Sequence, residues 1–324
     1  MRAVQVTRFG GPEVLVSAEV PEPVAGPGQV LVTVAVAGMS FVETQIRRGA
    51  DRWHARPELP YVPGSVVAGR VTAVGAGVES DWVGRRVLAN LPGHMGGFAE
   101  RAVTGVADLA VVPDGLGLPE AVALHSNGSA ALGLARGAGI RSGEWVLVEA
   151  AAGGVGTLLV QLARLAGARV VGAARGQRKL DLVGELGADV TVDYSEPGWT
   201  DRVRAATGGT GPDLVFDGVG GEIGRAAFEV TAVGGRFSVH GAASGRPTVI
   251  DPEEARRRRI QVIGIEQLPG FGPNMLGWAG EMMALAVDGR IRPVVGQTFP
   301  LDRAAEAHAS IESRTGVGKT LLLL

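Results

Sequence analysis

The sequence predicts an α/β protein in which a doubly wound parallel sheet forms one domain and short β-rich runs form a second. Three observations carry that expectation. The chain has 324 residues, and at roughly 100 to 200 residues per domain this length favours two domains. Its rhythm changes near residue 120, from short β-rich runs punctuated by Gly and Pro to a strand, helix, strand alternation. Its hydrophobic and charged fractions, 46% and 20%, are those of a globular core with a solvated surface.

In the first part, Val30–Val36, Val66–Val74 and Val87–Ala89 read as strands, separated by turn signals such as Gly26-Pro27-Gly28 and Gly75-Ala76-Gly77. The spacing predicts one helix there, Phe41–Arg48, with Ser40 capping its first turn. Strands follow at Trp145–Glu149, Arg169–Ala173, Val190–Val192, Leu214–Asp217 and Arg236–Val239. Helices are expected between them at 155–166, 178–186, 199–206 and 222–230, so the sheet should be parallel with helices on both faces. The tail predicts a helix at Asn274–Val287, a strand at Gly296–Phe299, a helix at Asp302–Ser313 and a closing strand at Lys319–Leu324. It is expected to return to the first domain, giving one domain of 1–120 with 267–324 and another of 121–266. The cleft between the domains is the default place for a ligand.

Several functions are disfavoured at once. Lys and Arg number 31 against 33 Asp and Glu, so no excess positive field draws nucleic acid or anionic lipid. There is no cysteine, which removes disulfides, thiolate nucleophiles and Cys-based zinc sites. No stretch approaches the roughly 18 apolar residues of a membrane span, and the N-terminus lacks a long apolar segment. The protein is therefore read as cytoplasmic.

The most specific chemistry lies at Trp145–Ala150 followed by Ala151-Ala152-Gly153-Gly154-Val155-Gly156 and an amphipathic run to Ala166. A glycine turn between a strand and a helix is the dinucleotide-binding fingerprint. Ala151 takes the first glycine position, Gly153 lets the backbone approach a pyrophosphate, and Gly156 permits close helix–strand packing. The helix N-terminus offers free amides and a positive dipole end. The next strand ends at Ala173-Ala174 and is followed by Arg175-Gly176-Gln177-Arg178-Lys179. No carboxylate stands there for ribose hydroxyls, whereas Arg175 with Arg178 or Lys179 suits the additional phosphate of NADPH.

With these residues in view, the chain resembles the zinc-independent medium-chain dehydrogenase/reductases of the quinone oxidoreductase, or zeta-crystallin, type. Phe9-Gly10-Gly11-Pro12-Glu13-Val14-Leu15, Pro60-Tyr61-Val62-Pro63-Gly64 and Gly96-Gly97-Phe98-Ala99-Glu100 carry the resemblance in the first part. The glycine turn, Leu186-Gly187-Ala188-Asp189 and Gly316-Val317-Gly318-Lys319 carry it further along. It implies a GroES-like, barrel-like catalytic domain completed by the tail and an inserted Rossmann domain that holds NADPH. By family position, Lys179 and Tyr194 would contact the adenosine phosphate end. Gly218-Val219-Gly220 and His240-Gly241-Ala242 would meet the cofactor from the fourth and fifth strands, and Lys319 would lie on the pyrophosphate. A homodimer is implied, with Val262–Gln267 as its edge strand.

The sequence departs from the family pattern at several positions. Ser40 stands where Asn is usual, Gln45 where Tyr often lies, Val66 where an acid commonly follows the Pro-Gly pair, and Ala130 where Thr is usual. Ser40 also replaces the metal-binding Cys of the alcohol dehydrogenase branch and Val66 cannot ligate, so no zinc is expected. Of the histidines, His54 and His308 are expected at the surface and His94 in a solvated loop. His125 and His240 are candidates to face the nicotinamide.

Two decoys are set aside. Ser313–Thr320 ends like a phosphate loop but leads into a strand, and Arg256–Arg259 reads as a solvated helix face. The expected activity is transfer of hydride from NADPH to a quinone or an α,β-unsaturated carbonyl. Ser40 and Gln45 are the expected donors to the acceptor oxygen, and His125 or His240 the proton relay. The alternatives are a dedicated enoyl reductase, in keeping with Val66 and Ala130, and a non-catalytic NADPH-binding protein.

Overall fold

The computed structural model describes residues 1–51 and 54–324. By its internal contacts the chain divides into two compact units, Met1–Ser126 with Ala279–Val287 and Pro293–Leu324, and Asn127–Trp278 with Asp288–Arg292.

In chain order the first elements are β1 (Arg2–Val6), β2 (Leu15–Glu19), β3 (Gln29–Met39), α1 (Phe41–Arg48), β4 (Val66–Val74), β5 (Arg86–Asn90), β6 (Arg101–Gly105) and β7 (Leu109–Val111). Two helices follow, α2 (Leu118–Ala123) and α3 (Ser129–Ala138), joined through a π-helical turn at Leu124–Gly128. Next come β8 (Trp145–Glu149), α4 (Gly154–Leu165), β9 (Arg169–Ala174), α5 (Gln177–Glu185), β10 (Val190–Asp193) and α6 (Trp199–Ala206). They continue as β11 (Leu214–Asp217), α7 (Gly221–Val230), β12 (Arg236–Val239), α8 (Pro252–Arg257) and β13 (Gln261–Ile263). The tail forms α9 (Met275–Val287), β14 (Val295–Pro300), α10 (Ala304–Ser313) and β15 (Lys319–Leu323).

The first unit holds a seven-stranded sheet in the order β14-β15-β3-β4-β5-β7, with β6 also paired to β3. Strand β3 is long because alternate residues meet an apolar core on one side, and its Val30 and Val32 are fully buried. β15 closes the sheet through Thr320↔Met39 and Leu322↔Ala37, so the tail belongs to the sheet of the N-terminal strands. The core around Val32, Val67, Phe98 and Leu322 also receives Ala304 and Ala307 of α10.

The second unit holds a six-stranded sheet in the order β10-β9-β8-β11-β12-β13, with every pair parallel. Its central strands read as continuous apolar runs because both faces are covered; Val146, Leu147, Val148, Val215 and Phe216 are fully buried. This is the α/β doubly wound fold predicted from the sequence.

Three expectations need correction. The edge strand expected at Val262–Gln267 is confined to Gln261–Ile263, and Ile265–Asn274 turns as a 3-10 segment containing Pro269 and Pro273. Neither proline can give an amide to a ladder. His308 is wholly buried rather than at the surface, because α10 turns it inward against the edge of the Phe98 ring, 6.0 Å between centroids. In the basic run, Arg258 is not a solvated side chain, since its guanidinium donates to the carbonyls of Phe228, Glu229 and Thr231 at the end of α7. The side chain of His94 lies outside the described residues.

Candidate active site

In the second unit the site begins where β8 and β11 lie side by side. From β8 the sheet continues to β9 and β10 on one side, and from β11 to β12 and β13 on the other. This reversal of strand order opens a crevice at the carboxyl ends of the two strands. The glycine turn enters it from β8. Ala150 adopts a left-handed φ of 48°, and the Gly153 amide donates to the Ala150 carbonyl at 2.8 Å. α4 then starts at Gly154 with Gly153 as its N-cap and no side-chain cap, so its first amides are left for an anion. A Cβ on Gly156 would stand 2.3 Å from the Ala150 carbonyl oxygen, so only glycine lets the helix lie this close to the turn. Ala152 is buried, while Gly153, Gly154 and Val155 are partly exposed along the turn. The Asn127 side chain packs over Gly154.

At the end of β9, Arg175 and Arg178 are exposed and Lys179 is half-buried. Burial, and then the charges of Arg175 and Arg178, hold the Lys179 amine below its ordinary value. Tyr194, after β10, reaches the same corner, its amide donating to Ala174 at 3.3 Å. A carboxylate that the sequence did not locate also arrives there. Asp193 of β10 accepts the Gly176 amide at 2.7 Å on one oxygen, and the Ser195 amide and hydroxyl at 2.8 and 2.5 Å on the other. Both of its oxygens are therefore engaged in shaping the turn.

The loops after β11 and β12 are knit together. The Ser244 amide donates to the Val219 carbonyl at 2.8 Å and the Ala243 amide to that of Gly218 at 3.2 Å. Gly218 has room only for hydrogen, since a Cβ would stand 2.7 Å from His240 Nε2. Gly241 and Ala242 follow directly, with Ala242 Cα 3.3 Å from the Cβ position of Gly220. Burial pushes the His240 ring down to about 4, against the opposing effect of the Asp217 charge, so it is neutral near pH 7.

In the first unit, Ser40 caps α1 in a full capping box. Its hydroxyl donates to Glu43 Oε2 at 3.2 Å and accepts from the Glu43 amide at 3.3 Å, so it is committed to the helix end. Gln45 donates to Thr44 Oγ1 at 3.1 Å. Glu43, absent from the sequence expectations although it completes the Ser-x-x-Glu pattern, is buried and also accepts the Ser65 amide and hydroxyl at 3.0 and 3.1 Å. His125 is buried with both ring nitrogens lacking a partner. Burial, then the nearby Lys319 charge, pushes it down to about 4. Lys319 starts β15, is buried, and donates to Ser126 Oγ at 3.3 Å. Burial brings its amine down to about 8, partly opposed by Glu43. A cavity of about 300 Å³ lies beside α1, lined among the described residues by Glu43, Ile46, Tyr61, Pro63, Met95 and others. Neither Ser40 nor Gln45 is among its lining residues.

Residues 26–114 match the family model described as alcohol dehydrogenase GroES-like domain, and residues 154–268 match that described as zinc-binding dehydrogenase. A quinone oxidoreductase of Rattus norvegicus is 33% identical over 327 residues, spanning 100% of this chain and 98% of the relative. The chain belongs to the quinone oxidoreductase family. Among solved structures, a mycobacterial protein complexed with NADPH is 34% identical, with a TM-score of 0.88 over 100% of both chains. The Escherichia coli quinone oxidoreductase, also complexed with NADPH, is 26% identical with a TM-score of 0.90 over 100% of both chains.

Sequence reasoning also missed two acids within this quinone oxidoreductase fold. Glu149 and Asp217 end β8 and β11 and are completely buried. Their signal was an acid closing each of two otherwise apolar strands, Trp145–Val148 and Leu214–Phe216. Among the described residues, no group of three or more His, Cys, Asp or Glu is arranged to hold a metal ion.

Proposed function

We propose that the protein is an NADPH-dependent reductase that delivers hydride to a quinone or an α,β-unsaturated carbonyl without zinc. The observation that carries this reading is the uncapped, glycine-bounded N-terminus of α4 at the reversal of strand order, with a basic corner at the end of β9. The two related structures that hold NADPH support it. In this reading Ala152, Gly153, Gly154, Val155 and Gly156 receive the pyrophosphate, and Lys319 offers it a cation. Arg175 and Lys179 neutralise the additional phosphate beside Tyr194, with Asp193 already engaged by the turn. Gly218–Gly220 and His240–Ala242 border the nicotinamide end. When bound, NADPH supplies the hydride; the protein supplies orientation, exclusion of water and hydrogen-bond donors.

Zinc independence rests on the chain's own residues. Val66 is buried and has no ligating atom, and the Ser40 hydroxyl is held by Glu43. The engaged Ser40 leaves Gln45 as the candidate hydrogen-bond donor to the acceptor oxygen and His125 or His240 as the proton relay, to be separated by mutation. Both histidines are neutral at pH 7, so they offer an N–H rather than a positive charge. We further propose that the protein is cytoplasmic and pairs as a homodimer through the exposed edge at Val262, with sedimentation of wild type and Val262→Asp as the test. No helix among the described residues is long and apolar enough to cross a membrane.

The loss of NADPH absorbance with a matched panel of quinones, small enones and enoyl thioesters tests the activity and selects the acceptor class. Binding of NADPH without turnover of any acceptor would overturn the reductase reading. Arg175→Ala should weaken NADPH about 10- to 100-fold, the scale of one charge-assisted contact, and leave NADH nearly unchanged. Equal losses for both cofactors would remove Arg175 from the phosphate site.

A further inference from the structure

Beneath the crevice of the second unit lies a pair of acids that the cofactor contacts do not use. β8 and β11 are parallel neighbours with Phe216 opposite Val148, so the next residues, Asp217 and Glu149, end the two strands side by side. Both are completely buried. Asp217 Oδ1 accepts the amides of Val219 and Gly220 at 2.9 and 2.8 Å, and Oδ2 accepts the Thr248 hydroxyl at 2.5 Å. These three donors suit an ionised carboxylate, and they fix the first turn of the 218–220 loop. Glu149 has no such set, and both of its carboxyl oxygens are buried without a hydrogen-bonding donor. Two adjacent buried carboxylates repel strongly, and the one that lacks donors is the one that keeps a proton.

We propose that Glu149 is a positioning residue, held as a neutral acid that donates its proton to Asp217 and thereby fixes the Gly218-Val219-Gly220 loop. Burial, then the charge of Asp217 and a hydrogen bond with its side chain, raise the Glu149 carboxyl well above its ordinary value, partly opposed by the nearby Val219 amide. The His240 ring, which feels the Asp217 charge, is neutral near pH 7. β9 presents only Ala173 opposite Glu149. Through Asp217 the proton reaches the loop that, on the proposed function, borders the nicotinamide end of NADPH. A raised folded-state value means that the folded protein keeps this proton while the unfolded chain releases it. The contribution is therefore complete below the ordinary carboxyl range and is lost as pH rises toward the folded value.

Glu149→Gln keeps an uncharged donor of the same shape and cannot titrate. Between pH 6 and 9 the unfolding equilibrium constant of the wild type should therefore change at least tenfold more than that of Glu149→Gln, measured by denaturant unfolding without cofactor. Equal pH dependence in the two proteins would overturn the proposal. Should Glu149→Gln fail to fold, infrared titration of the wild type serves instead. A protonated carboxyl band persisting at pH 8 is expected, and its absence overturns the proposal. In a separate arm, Glu149→Leu removes the donor and should weaken NADPH binding about tenfold, whereas Glu149→Gln should bind within about threefold of wild type. Equal affinities in both variants would sever the link to the loop. Failure of the wild type itself to bind NADPH would instead overturn the functional reading and leave the proton assignment standing on the unfolding data.

Discussion

Arg47 lies on the inner face of α1 with no exposed surface, and its guanidinium meets Glu312 at 2.5 Å and His308 Nδ1 at 3.5 Å. An unpaired buried guanidinium is costly, so the carboxylate from α10 is what makes this position tolerable. Glu312 keeps 21% exposure, and water partly compensates its loss. Glu312→Ala should therefore destabilise by about 1 to 3 kcal/mol. The exposed Arg303–Glu306 pair, with 53% and 55% of its side chains in solvent, should lose much less on the same change at Glu306, because water screens the pair. Urea unfolding of the two variants tests the contrast, and equal losses would show that the Arg47 contact is not stabilising. His308 sits in this cluster because packing on Phe98 takes up its ring, a circumstance that a lone histidine in a helical stretch does not disclose.

The clearest local logic belongs to α1. A serine at the N-cap, a glutamate three residues on and Gly49 in the left-handed conformation at its end mark both limits of the helix in the sequence itself. Ser40→Ala removes the cap and should cost about 1 kcal/mol. Glu43→Ala also strips the acceptor from the partly buried Ser65 amide and hydroxyl, and should cost about 2 to 4 kcal/mol. Thermal unfolding decides this order; a smaller loss for Glu43→Ala would mean that the Ser65 donors find other acceptors. The helices α2 and α3 are not legible in the same way. Residues 118–139 contain Gly128, Gly133, Gly137 and Gly139, a composition that reads as turn because each glycine lowers helix propensity. Within α3, Gly133 is where Trp278 and Phe271 pack, and a Cβ would stand 2.6 Å from the Trp278 ring. Tertiary packing therefore requires the residue that local propensity counts against the helix. The strands β8 and β11 show the opposite case, since their unbroken apolar runs are enough to announce burial on both faces.

At the scale of the whole molecule, three histidines among the described residues resist protonation. Burial pushes His125 and His240 down to about 4 and His308 to about 3. Each is neutral when folded, whereas the unfolded chain takes up a proton below its ordinary value near 6.5. This contribution is complete above pH 6.5 and is lost as pH falls toward the folded-state values. At pH 5 the loss is about 1 to 2 kcal/mol per histidine, from about 1.4 kcal/mol per pH unit. Denaturant unfolding at pH 5 and 7 should show His308→Gln less sensitive to acid by about one such increment; an unchanged slope would mean that His308 is not held neutral by burial.

By itself the sequence determined the secondary-structure rhythm, the parallel character of the second sheet, and the glycine turn at the start of α4. These depend on period, capping and steric room, which are local properties of neighbouring residues. Only the tertiary structure decided which side chains share a site. It placed Asp193 of β10 at the turn after β9, brought Ser65 to Glu43, buried His308 against Arg47, and set Glu149 beside Asp217. Those outcomes depend on which strands pair and which helix covers them. A charge far away in sequence becomes a neighbour only through that pairing, and the dielectric around it is then set by burial rather than by residue type.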